Sequence, residues 1–273
     1  MIDFNTHNFE SFVELIESFS NVRFFEKDHS YEIDGEKTSM SVSKLISKYE
    51  KPFDSQKIAE KVSKKEGLPV ESILESWEYN REYSCHKGSE FHLYVENFLE
   101  RRFTAIDKKA FINFVKSNNK LYSEDVVENY YKEMALLIRN FKNFYNWWRE
   151  DHVLLKSEFV IGDKKTKICG TVDNLSYNKK TKELVVFDYK TNKKIDRNNP
   201  YGETFLNPFS HISKCEYTKY SLQLNLYQLI FERNSSFKIN NSYIVWVAGS
   251  EDYELIKSLD LKKESITMLE NGK

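Results

Sequence analysis

The residues at 168–194, ICGTVDNLSYNKKTKELVVFDYKTNKK, constrain the fold more than any other stretch of this chain. Residues 168–177 are rich in strand formers and carry Asp173. Asn178, Lys179, Lys180, Thr181 and Lys182 make a polar turn. Leu184, Val185, Val186 and Phe187 then form an apolar run that stops at Asp188-Tyr189-Lys190. This is the pattern of a β-hairpin whose second strand is buried. Alternate strand residues share a face, so Asp188 and Lys190 point the same way, roughly 6 to 7 Å apart at Cα. If the strands pair about the turn, Asp173 falls beside Asp188. Two carboxylates and a lysine then converge at one end of a buried sheet.

That group suits the breaking of a phosphodiester bond. The reaction places hydroxide against an anionic phosphorus and stabilises an alkoxide leaving group. Hard divalent ions held by carboxylates serve both ends, and a neighbouring ammonium orients water or offsets charge. The ordinary reading of an isolated D-x-K is a surface ion pair. Here the pair ends a strand whose preceding residues read as buried, and charges in such a place need partners.

The rest of the chain frames the hairpin. Residues 3–19 read as an amphipathic helix with Phe9, Phe12, Val13, Ile16 and Phe19 on one side. Residues 22–33 alternate like one strand, Asp34-Gly35 is a hairpin turn and 37–40 begin the return. Ser41 or Ser43 caps a helix carrying Leu45, Ile46 and Tyr49, which Pro52 stops. Residues 55–77 are mainly helical with a break at 67–69. Lys87-Gly88-Ser89-Glu90-Phe91-His92 opens a separate helix through residue 101, with Phe91, Tyr94, Val95, Phe98 and Leu99 as its apolar face. His92 lies one position off that face, where core packing and a cleft-facing role both stay open. Residues 104–150 hold two or more helices ending in Phe141, Phe144, Tyr145, Trp147 and Trp148, whose spacing fits core packing better than base stacking.

Residues 153–161 form a strand containing Glu158, either solvent-facing or in support of the carboxylates. A polar loop at 195–215 leads to a helix at 217–233, on which Gln223 and Tyr227 share one side. Residues 241–248 are a buried strand, 253–261 a further candidate strand, and the tail reads as short and polar.

Composition sets limits. The 273 residues carry a net charge of -1, which excludes a wholly basic nucleic-acid binder but leaves local field free to act. Basic residues gather near the hairpin, with Lys179, Lys180 and Lys182 fitting solubility and Lys193 and Lys194 better placed for phosphates. Apolar runs fall short of the roughly 20 residues that a membrane helix needs, so no membrane association is expected. The acidic, polar start resembles neither a secretory signal nor a transit peptide. Three dispersed cysteines, Cys85, Cys169 and Cys215, fit reduced thiols in a cytoplasm.

GTVD followed by FDYK resembles the signature of the PD-(D/E)XK nuclease superfamily, with Val172 standing where the motif has proline. The G-x-x-x-H of Gly88 and His92 and the Q-x-x-x-Y of Gln223 and Tyr227 resemble its RecB-like exonuclease branch. The H-x-Y, DG, SVS and PF pieces of residues 29–53 are more loosely similar to phage and mitochondrial genome-maintenance exonucleases, with His29 read as structural.

The resemblance implies an α/β fold with a restriction-endonuclease-like αβββαβ core, a mixed central sheet flanked by helices. One domain would span 1–273, with an N-terminal hairpin and helical additions at 1–86 and a catalytic core at 87–250 that includes a helical insertion at about 104–150. It also implies a Mg²⁺- or Mn²⁺-dependent deoxyribonuclease, an exonuclease acting in DNA replication, recombination or repair in the cytoplasm; the looser likeness of residues 29–53 points to a phage origin, for which the compartment is the host cytoplasm. Asp173, Asp188, His92 and the Tyr189 carbonyl would hold metal; imidazole shifts the preference towards Mn²⁺. Lys190 would position water, Gln223 and Tyr227 would brace the lysine or touch DNA, Lys193 and Lys194 would meet phosphates, and Glu158 would support the metal. The iron–sulfur cluster of some relatives needs four cysteines and is not expected. DNA that is single-stranded or has free ends is the expected partner. An endonuclease on the same core and a non-catalytic DNA-binding module are the alternatives.

Overall fold

A computed structural model describes residues 8–28, 30–38, 40–117 and 124–272. His29 and the first residues of the expected N-terminal helix lie outside them. The chain forms two compact units, Met1–Glu50 with Lys142–Lys273, and Lys51–Phe141.

In the first unit, α1 (Asn8–Glu17) precedes a small antiparallel sheet of β1 (Val22–Phe25), β2 (Ser30–Ile33) and β3 (Glu36–Thr38). The alternation over 22–33 is thus two strands rather than one. A single helical turn at Glu26–Asp28 folds the segment back on itself, pairing Val22 with Ile33. Asp34 and Gly35 both have positive φ, 53° and 82°, as the tight turn between β2 and β3 requires. Helix α2 (Val42–Ser47) is capped by Ser41, whose side chain accepts from the Lys44 N–H.

The main sheet has the order β4-β5-β6-β7-β8, from β4 (His152–Asp163), β5 (Ile168–Asn178), β6 (Glu183–Lys190), β7 (Ile239–Trp246) and β8 (Glu254–Lys257). β4, β5 and β6 form an antiparallel meander, β7 runs parallel to β6, and β8 is antiparallel to β7. A parallel neighbour needs a long crossover. The chain makes it with a loop and α7 (Glu216–Asn234). The sheet is therefore mixed, and the fold class is α/β. β5 and β6 are central strands and almost wholly buried, which explains why β6 reads as a continuous apolar run.

Helices cover both faces. Phe187 and Tyr189 of β6 lie 5.4 and 5.8 Å (ring centroids) from Phe144, near the end of α6 (Glu124–Asp151). Leu184 and Val186 point the other way, into the core that holds Leu222, Leu226 and Tyr227 of α7. The chain end is not a polar tail: α8 (Lys262–Asn271) buries Met268 and Leu269. Its polar residues hide two apolar positions one apart, too short a pattern to register as a helical face.

The second unit is helical. α3 (Ser55–Glu66) and α4 (Val70–Leu99) are separated at residues 67–69 as the sequence suggests, and α5 (Lys108–Ser117) and the first part of α6 follow. No new helix opens at Lys87, because α4 runs through it. A lone Gly88 costs about 1 kcal/mol against alanine, too little to break so long a helix. Lys87 is buried and pairs with Glu133 at 2.5 Å, while Glu90 accepts from the Asp107 N–H at 2.6 Å. Of the aromatic run, Phe141, Phe144 and Trp148 are buried, whereas Trp147 is 41% exposed.

Candidate active site at the fork between two strands

The β5–β6 ladder runs from Asn178–Glu183 to Asn174–Phe187, so the next pair along its register is Asp173 with Asp188. There the ladder ends. The Tyr189 N–H, which would otherwise face a gap, donates to Asp173 Oδ2 at 2.8 Å. This bond satisfies a buried backbone donor and fixes the carboxylate's direction. A strand residue's N–H and C=O share one side, so the Tyr189 carbonyl also points into the fork.

Asp188 is 1% exposed. Its charge is met by Lys190, whose Nζ lies 2.5 Å from Asp188 Oδ2, with the lysine side chain 14% exposed. The two-residue spacing read from the sequence does bring these groups together. Burial alone would push the Lys190 pKa down, but Asp188 and Asp173 outweigh it, and the value ends above that of ordinary lysine. Lys190 is thus held as an ammonium. Its Nζ also sits 4.7 Å from the centre of the Tyr220 ring.

Across the other edge of β5, Ser157 pairs with Asn174 and Phe159 with Val172, which sets Glu158 opposite Asp173. Glu158 breaks the strand conformation with φ of 45°. A left-handed backbone at a non-glycine residue costs about 1 to 3 kcal/mol and gathers at functional sites. Carboxylate oxygens of Glu158 and Asp173 lie within 4.8 Å of each other. Two oxygens each 2.0 to 2.6 Å from one hard cation are separated by at most about 5 Å, so this donor pair fits such an ion. Among the described residues, Asp188 does not join these two within that distance.

α7 walls the site. Gln223 Nε2 donates to the Tyr227 hydroxyl at 2.8 Å, as their i, i+4 spacing suggests. Tyr227 is buried and its pKa lies well above the usual phenol value, through burial first and the Asp188 charge second. Its ring edge lies against Gly170, where a Cβ would overlap it. On the other face of the sheet, Asn174 Nδ2 donates to the Tyr189 hydroxyl at 2.9 Å, Ser176 Oγ donates to Asn174 Oδ1, and Trp148 Nε1 donates to Ser176 Oγ at 3.1 Å. This relay pins β5 and β6 beneath the fork.

Lys193 and Lys194 are exposed just past β6, with Lys194 in an ion pair with Asp196 at 2.8 Å. His92 is half-buried on α4 of the helical unit. Sequence reasoning passed over Tyr220. It precedes Gln223 by three positions and Tyr227 by seven, and that helical spacing was the available signal.

No protein-family model matches the sequence, and no curated protein matches it. Among solved structures the chain is similar to a candidate exonuclease of Eubacterium rectale, with a TM-score of 0.35 and 14% identity over 69% of this chain. The chain spans 64% of that protein's length. No helix among the described residues is long and apolar enough to cross a membrane.

Proposed function

We propose that this chain is a metal-dependent DNA nuclease, acting as an exonuclease on DNA with free ends. The observation that carries the reading is the convergence of Asp173, Asp188 and Lys190 where β5 and β6 part. Asp173 and Glu158 supply hard oxygen ligands suited to Mg²⁺ or Mn²⁺, with Asp188 and the Tyr189 carbonyl at the same fork. The sequence motif adds His92 as a ligand. A bound divalent cation supplies a hydroxide at neutral pH and shields the phosphate charge.

The protein's own residues do the positioning. The Tyr189 N–H holds the Asp173 carboxylate in one orientation. Lys190, an ammonium, orients the attacking water or meets negative charge at phosphorus rather than removing a proton. Gln223 and Tyr227 form a hydrogen-bonded wall behind it, and Lys193 and Lys194 reach backbone phosphates beyond the strand. By the family resemblance, a role in DNA replication, recombination or repair goes with this chemistry, leaving a 5′-phosphate and a 3′-hydroxyl.

The test separates cleavage from binding. Lys190→Ala, shown folded by circular dichroism, is expected to cut end-labelled linear DNA at least about 100-fold more slowly while retaining DNA affinity. Equal loss of binding and cleavage would mean that Lys190 only holds DNA.

A further inference from the structure

Beside Asp188, Lys190 is met by a second side chain, one that no motif names. The Tyr220 ring stands 4.7 Å from Lys190 Nζ. Its hydroxyl donates to Asn192 Oδ1 at 2.7 Å. The Asn192 carbonyl in turn accepts from Trp246 Nε1 at 2.7 Å. The ring is thereby tied to the segment just past β6 and, through it, to the end of β7. Lys190 itself is anchored on that side, since its carbonyl accepts from the Val247 N–H at 3.1 Å. The ammonium thus has a carboxylate of its own strand and an aromatic face of α7 as neighbours, the ring being tied to the segment just past the strand.

We infer that Tyr220 is the positioning residue of Lys190. Its ring face confines the ammonium at the fork, and the tether to Asn192 fixes the ring. The inference rests on the nuclease reading for its consequence and on the protein alone for the placement. A lysine stem has four rotatable bonds and three donors, so one carboxylate leaves much of its freedom in place. A cation over an aromatic face within about 6 Å gains about 0.5 to 2 kcal/mol, most where water is excluded. The ring contact is separate from the Asp188 ion pair, so it would confine the ammonium also if Asp188 served as a ligand to a cation. Tyr220 touches neither substrate nor metal in this role. It acts through the lysine.

Two readouts test this. The first needs no activity: in the metal-free protein, the Lys190 Hε protons are expected upfield of ordinary lysine, because they lie over a ring. Tyr220→Phe, which keeps the ring and loses its tether, is expected to reduce that shift, and Tyr220→Leu to remove it. The second is kinetic, using phenylalanine at position 220 and its progressively fluorinated forms, which keep the ring's shape while draining its negative face. The turnover number is expected to fall stepwise with fluorination to about one tenth, with KM moving less than about twofold. Should Tyr220→Leu fail to fold, the isosteric fluorinated series decides. An unchanged Lys190 resonance in Tyr220→Leu, or a turnover number flat across the fluorinated series, overturns the inference. If the wild-type protein cleaves no DNA, the nuclease reading falls and the lysine resonance still decides the placement.

Discussion

Asp188 and Lys190 carry opposite charges in a place almost closed to water, and neither is stable there without the other. Removing one partner of a buried pair costs about 3 to 5 kcal/mol, because the survivor keeps its desolvation penalty. Lys190→Ala is therefore expected to melt well below the wild type. Asp188→Asn combined with Lys190→Ala should be more stable than Lys190→Ala alone, since the double variant buries no lone charge. Urea unfolding of the four proteins checks this. Strictly additive losses would mean that the 2.5 Å contact contributes no coupling. At this scale the sequence was informative where chemistry sits on a strand. The two-residue spacing of Asp188 and Lys190 needs only strand geometry to become a contact. Glu158 was harder to place, because it stands opposite Asp173 with a left-handed backbone that propensity does not foretell. Tyr220 was missed because its partner lies on another element, although its helical spacing was in view.

Elements with a strong period were legible in the sequence, and those decided by tertiary packing were not. The β5–β6 hairpin, α7 and the buried β7 follow from turn chemistry and apolar runs. The split of residues 22–33 into β1 and β2 follows from a short helical turn without glycine or proline to mark it. α8 forms because the first unit has an apolar surface to receive Met268 and Leu269, which local sequence does not announce. The junction of α6 with β4 offers a test at this scale. His152 is buried; its Nδ1 lies 3.1 Å from the Trp148 carbonyl and its Nε2 lies 3.0 Å from Asn178 Nδ2. These partners suit a neutral ring that donates from Nδ1 and accepts at Nε2, and burial lowers its pKa. The unfolded chain then takes up a proton more readily than the folded one. This contribution to stability is full above about pH 6.5 and is lost as pH falls below it. His152→Gln should flatten the decline in thermal stability between about pH 5 and 6.5. Parallel profiles for variant and wild type would contradict the assignment.

Across the whole molecule the net charge is -1, so under the proposed function attraction to DNA falls to local groups such as Lys193 and Lys194, just past β6. The unit that holds the mixed sheet contains Glu158, Asp173, Asp188 and Lys190, drawn from three adjacent strands, together with the α7 residues behind them. Under the proposed function these groups form a cation site beside an ammonium, acting on a phosphodiester. The most direct measurement is digestion of end-labelled linear DNA, single- and double-stranded, by the wild type and by Asp173→Asn. The reactions would run in Mg²⁺, in Mn²⁺ and in chelator, with circular single-stranded DNA beside them. Cleavage of linear DNA in either metal, absent in chelator and reduced at least about 100-fold in Asp173→Asn, is the expected result, with the circle left intact. Cleavage that persists in chelator, or an Asp173→Asn variant as active as the wild type, would contradict it.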